Sequence, residues 1–150
     1  MPQSLARIYL HLIFSTKNRE PILADSIRPG LHSYLDGILR DLDSPAVEIN
    51  SVSDHTHLLF CLSCTHAVSE IVAQTKRGSS AWLKTQDRRY ATFHWQNGYG
   101  VFSVSQSGVD EVREYIRDQQ AHHQKSTFQE EYRTFLRRYG IEYDEKYVWD

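Results

Sequence analysis

The segment Asp54-His55-Thr56-His57-Leu58-Leu59-Phe60 carries two imidazoles separated by a single residue. Side chains alternate along an extended strand. His55 and His57 would therefore point one way, and Thr56, Leu58, Phe60 and Leu62 the other, into a core. Two residues of strand span about 6.6 Å, a spacing from which both rings can converge on one ion. The plainer alternative is a pair of partly exposed, hydrogen-bonded histidines with no chemical task. Zinc shared with Cys61 and Cys64 is disfavoured by distance. His57 and Cys61 lie about 13 Å apart on a straight strand, whereas zinc–ligand bonds are about 2.0–2.3 Å long. The cysteines read instead as core or near-surface thiols. A phosphoesterase built on paired His-x-Thr motifs is excluded, because no threonine stands two residues after a histidine.

A second segment places Tyr115, Gln119 and His122 at i, i+4 and i+7 of a helix, beside an apolar stripe of Val109, Val112 and Ile116. Tyr115 offers a phenol that becomes nucleophilic once deprotonated. Its ordinary pKa of about 10 calls for a cation or base nearby. Gln119 offers a neutral oxygen that could complete a two-histidine site for a hard divalent ion, and His122 is a rival for that place. With His55 and His57, this set describes a metal that polarises a phosphate and a tyrosine that attacks phosphorus. The resulting phosphotyrosine would conserve the energy of the broken phosphodiester and permit rejoining. The plain reading of the same helix is a tyrosine at its edge and a solvated glutamine.

The elements that must position these groups follow from the patterning. Residues 8–14 form an apolar, β-rich run that stops at Ser15-Thr16-Lys17-Asn18-Arg19. Over 26–42, Ile27, Leu31, Leu35, Ile38 and Leu42 recur at helical spacing, with Pro29 tolerable near the first turn. Val47, Ile49 and Val52 predict a second strand, and 55–62 a third. Val68, Ile71, Val72, Thr75 and Trp82 mark a second helix. After the Asn97-Gly98 turn, 99–105 alternates as a fourth strand. Ser107 with Asp110 resembles a capping box that opens a helix running to about residue 124. Phe128, Tyr132, Phe135, Leu136 and Tyr139 predict a last helix before Gly140. The order β-α-β-β-α-β followed by helix predicts an α+β, ferredoxin-like fold. In it an antiparallel sheet carries helices on one face, with an additional C-terminal tyrosine-bearing helix. The other face is left for a site or a further helix, and the fold alone names no activity. A single domain is expected over 1–150, with its core at about 5–124 and a helical extension with an acidic tail at about 125–150.

A chain of 150 residues, 40% hydrophobic and 24% charged, can bury a core without staples. No apolar run approaches the roughly 18–20 residues of a membrane span. The start, Met1-Pro2-Gln3-Ser4, lacks the pattern of a secretion signal. With two cysteines and no disulfide scaffold, a cytoplasmic protein is expected. The net charge of −2 argues against a generally basic protein, but the charge is uneven. Lys76, Arg77, Lys84, Arg88 and Arg89 face one acid, Asp87, whereas Glu142, Asp144, Glu145 and Asp150 face Lys146. A cationic middle suggests a polyanionic partner. A solvated helix face with a charged tail is the blander account. Tyr143, Tyr147 and Trp149 would pin the acidic tail on the far side of the domain, away from any nucleic acid.

Four ordered blocks together resemble the single-tyrosine HUH transposases of small bacterial insertion sequences, including relatives that act at repetitive extragenic palindromes. Asp54-His55-Thr56-His57-Leu58-Leu59 resembles the family's D-H-[VT]-H-L-L stretch, with Thr56 between the histidines. Tyr115-Ile116-Arg117-Asp118-Gln119 resembles Y-I-x-x-Q, and Thr16-Lys17-Asn18-Arg19 the T-K-x-R ending of the first strand. The run from Trp95 through Ser105 resembles the W-Q-x-G-Y-G-x-F-S-V-S signature of one sub-branch. The resemblance implies that His55, His57 and Gln119 bind Mg2+ or Mn2+ and that Tyr115 is the nucleophile. It also implies a single-stranded DNA substrate with subterminal hairpins, a 5′-phosphotyrosine intermediate and a free 3′-hydroxyl. A homodimer with active sites completed in trans, in a bacterial cytoplasm at the nucleoid, belongs to the same picture. Lys17, Arg19, Lys76, Arg77, Lys84, Arg88 and Arg89 are then candidate phosphate contacts. Trp82 or Tyr90 could stack on a base, although core packing is the plainer role for Trp82. The alternatives are a host-retained nickase or replication-initiation endonuclease, a non-catalytic nucleic-acid-binding module, and a partner-binding domain.

Overall fold

In the computed structural model, which describes residues 2–150, period-two patterning produces four strands and the helical stripes produce five helices. In chain order they are β1 (Tyr9–Ser15), α1 (Arg28–Asp41), β2 (Ala46–Ser51), β3 (His55–Cys61), α2 (Val68–Gln86), β4 (Gly100–Val104), α3 (Val109–Arg117), α4 (Gln119–His123) and α5 (Phe128–Arg138). The strands form one antiparallel sheet in the order β2-β3-β1-β4, which is the ferredoxin-like arrangement. Among the described residues, no helix is long and apolar enough to cross a membrane.

Alternation along the two central strands divides the interior into two layers. Leu10, Leu12 and Phe14 of β1, with Leu58 and Phe60 of β3, pack against Leu31, Leu35 and Leu39 of α1 and Ile71, Val72 and Leu83 of α2. Full burial of one such side chain is worth about 1.5–3 kcal/mol, so this layer holds the sheet rigid. Trp82 stacks on Tyr34 and Tyr90 is buried, so both belong to packing. The opposite residues, Ile13 of β1 and Leu59 of β3 among them, meet Val109 and Ile116 of α3 and Phe128, Tyr132, Phe135 and Leu136 of α5. The second sheet face is therefore covered.

Three local expectations change. Ser107 does not cap a helix: it lies in a 3-10 turn and contacts Ser105 Oγ, and Gly108 precedes α3 without a side-chain cap. The helix expected to run to about residue 124 breaks at Asp118. There Asn50 Nδ2 donates to the carbonyls of Ile116 and Arg117 at 2.8 and 3.0 Å, oxygens that a continuing helix would use itself. The acidic tail is pinned by a different set of residues. Tyr143, Val148 and Trp149 pack onto the α5 cluster, whereas Tyr147 is exposed. The Trp149 ring lies under the guanidinium groups of Arg19 and Arg133, and Arg133 forms a bidentate pair with Glu145.

Gly100 is where β4 meets α5. A Cβ there would lie 2.5 Å from Cε2 of Tyr132, a ring already stacked on Phe128. Gly100→Ala should therefore cost about 1–3 kcal/mol, read as a drop of several degrees in the melting temperature. His32 gives a second test. Burial, then the Arg28 charge, pushes its pKa down to about 4, and it contacts Ser51 Oγ at 2.6 Å. Unfolded histidine titrates near 6.5, so the unfolded chain binds this proton more tightly. The stability associated with neutral His32 is intact above about pH 6.5 and falls away towards pH 4, with a slope of at most about 1.4 kcal/mol per pH unit. Denaturant titrations across that window should show the loss, and His32→Gln should reduce its slope.

Candidate metal centre and tyrosine

β3 turns His55 and His57 towards the layer of α4 and α5, where both are fully buried. Their Nδ1 atoms are already engaged. His55 Nδ1 is 2.7 Å from Asp54 Oδ1, and His57 Nδ1 is 2.8 Å from Nε2 of His11 on the neighbouring strand. These contacts fix both rings with Nε2 pointing inward, the usual way an outer partner orients a metal-binding imidazole.

The inward nitrogens converge on an acid from α5. His57 Nε2 is 3.0 Å from Glu131 Oε1, and His55 and His123 lie 3.3 and 3.4 Å from the same oxygen. His55 Nε2 is aligned for no hydrogen bond and remains an unpartnered buried nitrogen. The ligand atoms of His55, His57, His123 and Glu131 all fall within 4.8 Å of one another. Four donors of this kind, with an orphaned nitrogen among them, fit a divalent ion. Burial opposes the Glu131 charge. The three imidazoles that face it, His57 foremost and then His123 and His55, outweigh that burial and hold the carboxyl well below its usual range. Burial lowers the pKa of His57 and, still more, of His11, keeping both neutral. For His55, burial is outweighed by Asp54 and Glu131, and its pKa is raised.

Tyr115, on α3, donates its hydroxyl hydrogen bond to the other oxygen of Glu131. Its ring lies 6.0 Å from the His57 ring. Burial first, then the Glu131 charge, pushes its pKa up, so the phenol is protonated at rest. Tyr115 and the two histidines expected from the sequence are thus brought together within one chain. Gln119 is also buried here. Its Oε1 is 2.9 Å from His123 Nε2 and its Nε2 is 3.4 Å from Glu131 Oε2. His122 does not join the four donors; its ring packs on Tyr115. The tyrosine helix is tied down by Asn50 and by Glu48, which pairs with Arg113 and Arg117.

Sequence reasoning missed Glu131 and His123. Glu131 sits three residues after Phe128 and four before Phe135, inside the apolar stripe of α5. An acid in such a stripe was the available signal. His123 follows Gln119 by one helical turn, the same i, i+4 relation that links Tyr115 to Gln119.

The expected cations are scattered. Lys76 is not free: its ammonium donates to the carbonyls of Gln96, Asn97 and Gly98 at 2.8, 3.2 and 2.5 Å. Burial lowers its pKa to about 8. Its role is to hold that loop. Arg77 and Lys84 are exposed on α2, behind the sheet from the histidines, and Arg88 is exposed in the turn that follows. Lys17 and Arg89 line a small cleft of about 170 Å³, and Arg19 lies over Trp149. None of these seven lines the larger pocket, about 710 Å³, that opens beside Tyr115 and Glu131.

The chain thus combines a ferredoxin-like sheet with a buried His-x-His pair that faces a helix-borne tyrosine. The family model for IS200-like transposases matches residues 4–119, and the chain belongs to that family. Two solved structures share the fold. One is a proposed transposase from Deinococcus radiodurans R1, with 24% identity and a TM-score of 0.62; the match covers 79% of this chain and 98% of that one. The other is a REP-associated tyrosine transposase bound to a REP hairpin, with 13% identity and a TM-score of 0.61; the match covers 82% of this chain and 73% of that one. No curated protein sequence matches. Glu131 and all of α5 lie beyond the residues matched by the family model.

Glu131→Gln keeps the shape of the side chain and removes its charge. The affinity for Mn2+, measured by calorimetry, should fall by at least about tenfold. An unchanged affinity would place the ion elsewhere.

Proposed function

We propose that this transposase cleaves and rejoins single-stranded DNA through a 5′-phosphotyrosine intermediate. Tyr115 is the nucleophile, and His55, His57 and Gln119, joined by Glu131 and His123, surround a divalent ion. One observation carries the reading: the Tyr115 hydroxyl is hydrogen-bonded to the carboxylate that faces both histidines. A divalent ion held by these donors would withdraw charge from the scissile phosphate. Three imidazole nitrogens and a carboxylate suit Mn2+ better than Mg2+, which prefers oxygen ligands.

In this reading Glu131 holds the phenol in line and takes its proton as the oxygen attacks. The Tyr115 oxygen–phosphorus bond forms, the bond from phosphorus to the 3′-oxygen breaks, and the departing 3′-oxygen takes up a proton from water. Attack by a 3′-hydroxyl reverses these steps and rejoins the strand, with the phosphodiester energy retained throughout. The relative solved with a hairpin supports a hairpin-bearing single strand as substrate. Contact between Tyr115 and its own chain's Glu131 favours a site completed within one chain over one completed in trans. An edge-to-edge homodimer would form through β2 or β4, the outer strands of the sheet.

Incubation of labelled hairpin oligonucleotides with the protein and Mn2+ should give a denaturation-resistant adduct. Tyr115→Phe should reduce it by on the order of a thousandfold or more while oligonucleotide binding persists. An adduct of undiminished yield in Tyr115→Phe would refute the assignment.

A further inference from the structure

The pocket of about 710 Å³ is bounded on one side by Tyr115 and Glu131 and on the others by the end of β4 and the C-terminal part of α5. Its volume is that of a site for a nucleotide-sized guest. We propose that it seats the nucleotide flanking the scissile phosphate, with Arg138 and Lys125 meeting the backbone and Tyr139 stacking on the base. This inference rests on the reading of Tyr115 given above.

Three features of the lining support it. First, Arg138 and Lys125 are exposed cations that take no part in the ion pairs among the described residues, whereas Arg113, Arg117 and Arg133 are all paired. A cation left unpaired at a pocket wall is available for a phosphate. Second, Tyr139 is a fixed aromatic platform. Its hydroxyl donates to the Ser103 carbonyl at 2.9 Å and one side of its ring stacks on Phe102 with centroids 4.8 Å apart, yet the residue is 41% exposed. A ring anchored on one side and open on the other suits base stacking, which is tolerant of sequence. Third, the pocket is continuous with the phenol, so a strand whose phosphorus faces Tyr115 can run directly into it. The acids on its lining are Glu111 and Glu131. Glu131 is already faced by the histidines, which leaves two cations against Glu111. Arg138 and Tyr139 lie beyond the residues the family model matches, as does Lys125. The three side chains assigned to the strand therefore come from the C-terminal segment.

The test uses the full-length chain and hairpin oligonucleotides that carry 5-iodouracil in the single-stranded flank. Ultraviolet crosslinking of the wild type, mapped by mass spectrometry, should label Tyr139 or its immediate neighbours. Tyr139→Ala should slow adduct formation about 5- to 100-fold, and Tyr139→Phe, which keeps the ring, should recover most of that loss. Arg138→Gln should weaken binding and lower the slope of log affinity against log salt by about one. If the wild type forms the adduct but crosslinks elsewhere, and both Tyr139→Ala and Arg138→Gln match it in rate and affinity, the subsite is wrong while the role of Tyr115 stands. If the wild type forms no adduct, the reading of Tyr115 fails and takes this inference with it.

Discussion

Glu131 lies among aromatic rings on the buried side of α5 and is only 7% exposed. An isolated carboxylate in such a place would cost several kcal/mol. Three imidazoles and a phenol compensate it here, and they come from three separate elements: His55 and His57 from β3, His123 from α4 and Tyr115 from α3. The acid thus ties the last helix to the sheet at one point and in one orientation. The aromatic residues around it supply the hydrophobic stabilisation, but they would tolerate small rotations of α5 that the carboxylate does not.

The same convergence gives the centre its chemistry. Asp54 and His11 engage the outer nitrogens of the two β3 histidines, so the inner ones are presented together. Asn50 stops α3 just after the tyrosine and Glu48 holds its arginines, so the phenol cannot drift along the sheet. A phenol placed in this way is fixed in direction but uncharged. Burial and the adjacent carboxylate keep it protonated.

Much of this was legible in the sequence, for identifiable reasons. Strand alternation places His55 and His57 on one face whatever else the chain does, and helical spacing places Gln119 one turn after Tyr115. Those relations are local, and the β-α-β-β-α-β order needs only local patterns as well. What sequence patterning did not reach depends on distant partners. The helix break after Tyr115 is imposed by Asn50, 66 residues before the Ile116 whose carbonyl it binds. Glu131 stands in a stripe whose periodicity was visible but whose destination, against β3, was not. Lys76 looked like a free cation, and only the fold reveals three carbonyls around it. Trp149 and Val148 carry the acidic tail onto α5 because Arg19 and Arg133 flank the indole, a contact between segments with no pattern in common.

The most direct measurement is anomalous diffraction at the manganese edge from crystals of this protein grown with Mn2+. The account predicts one strong peak within bonding distance of Nε2 of His55, Nε2 of His57 and a carboxylate oxygen of Glu131, with the Tyr115 hydroxyl at its margin. A peak at any other set of side chains, or an ordered centre in which Glu131 has turned away from an ion held by the histidines alone, would contradict it.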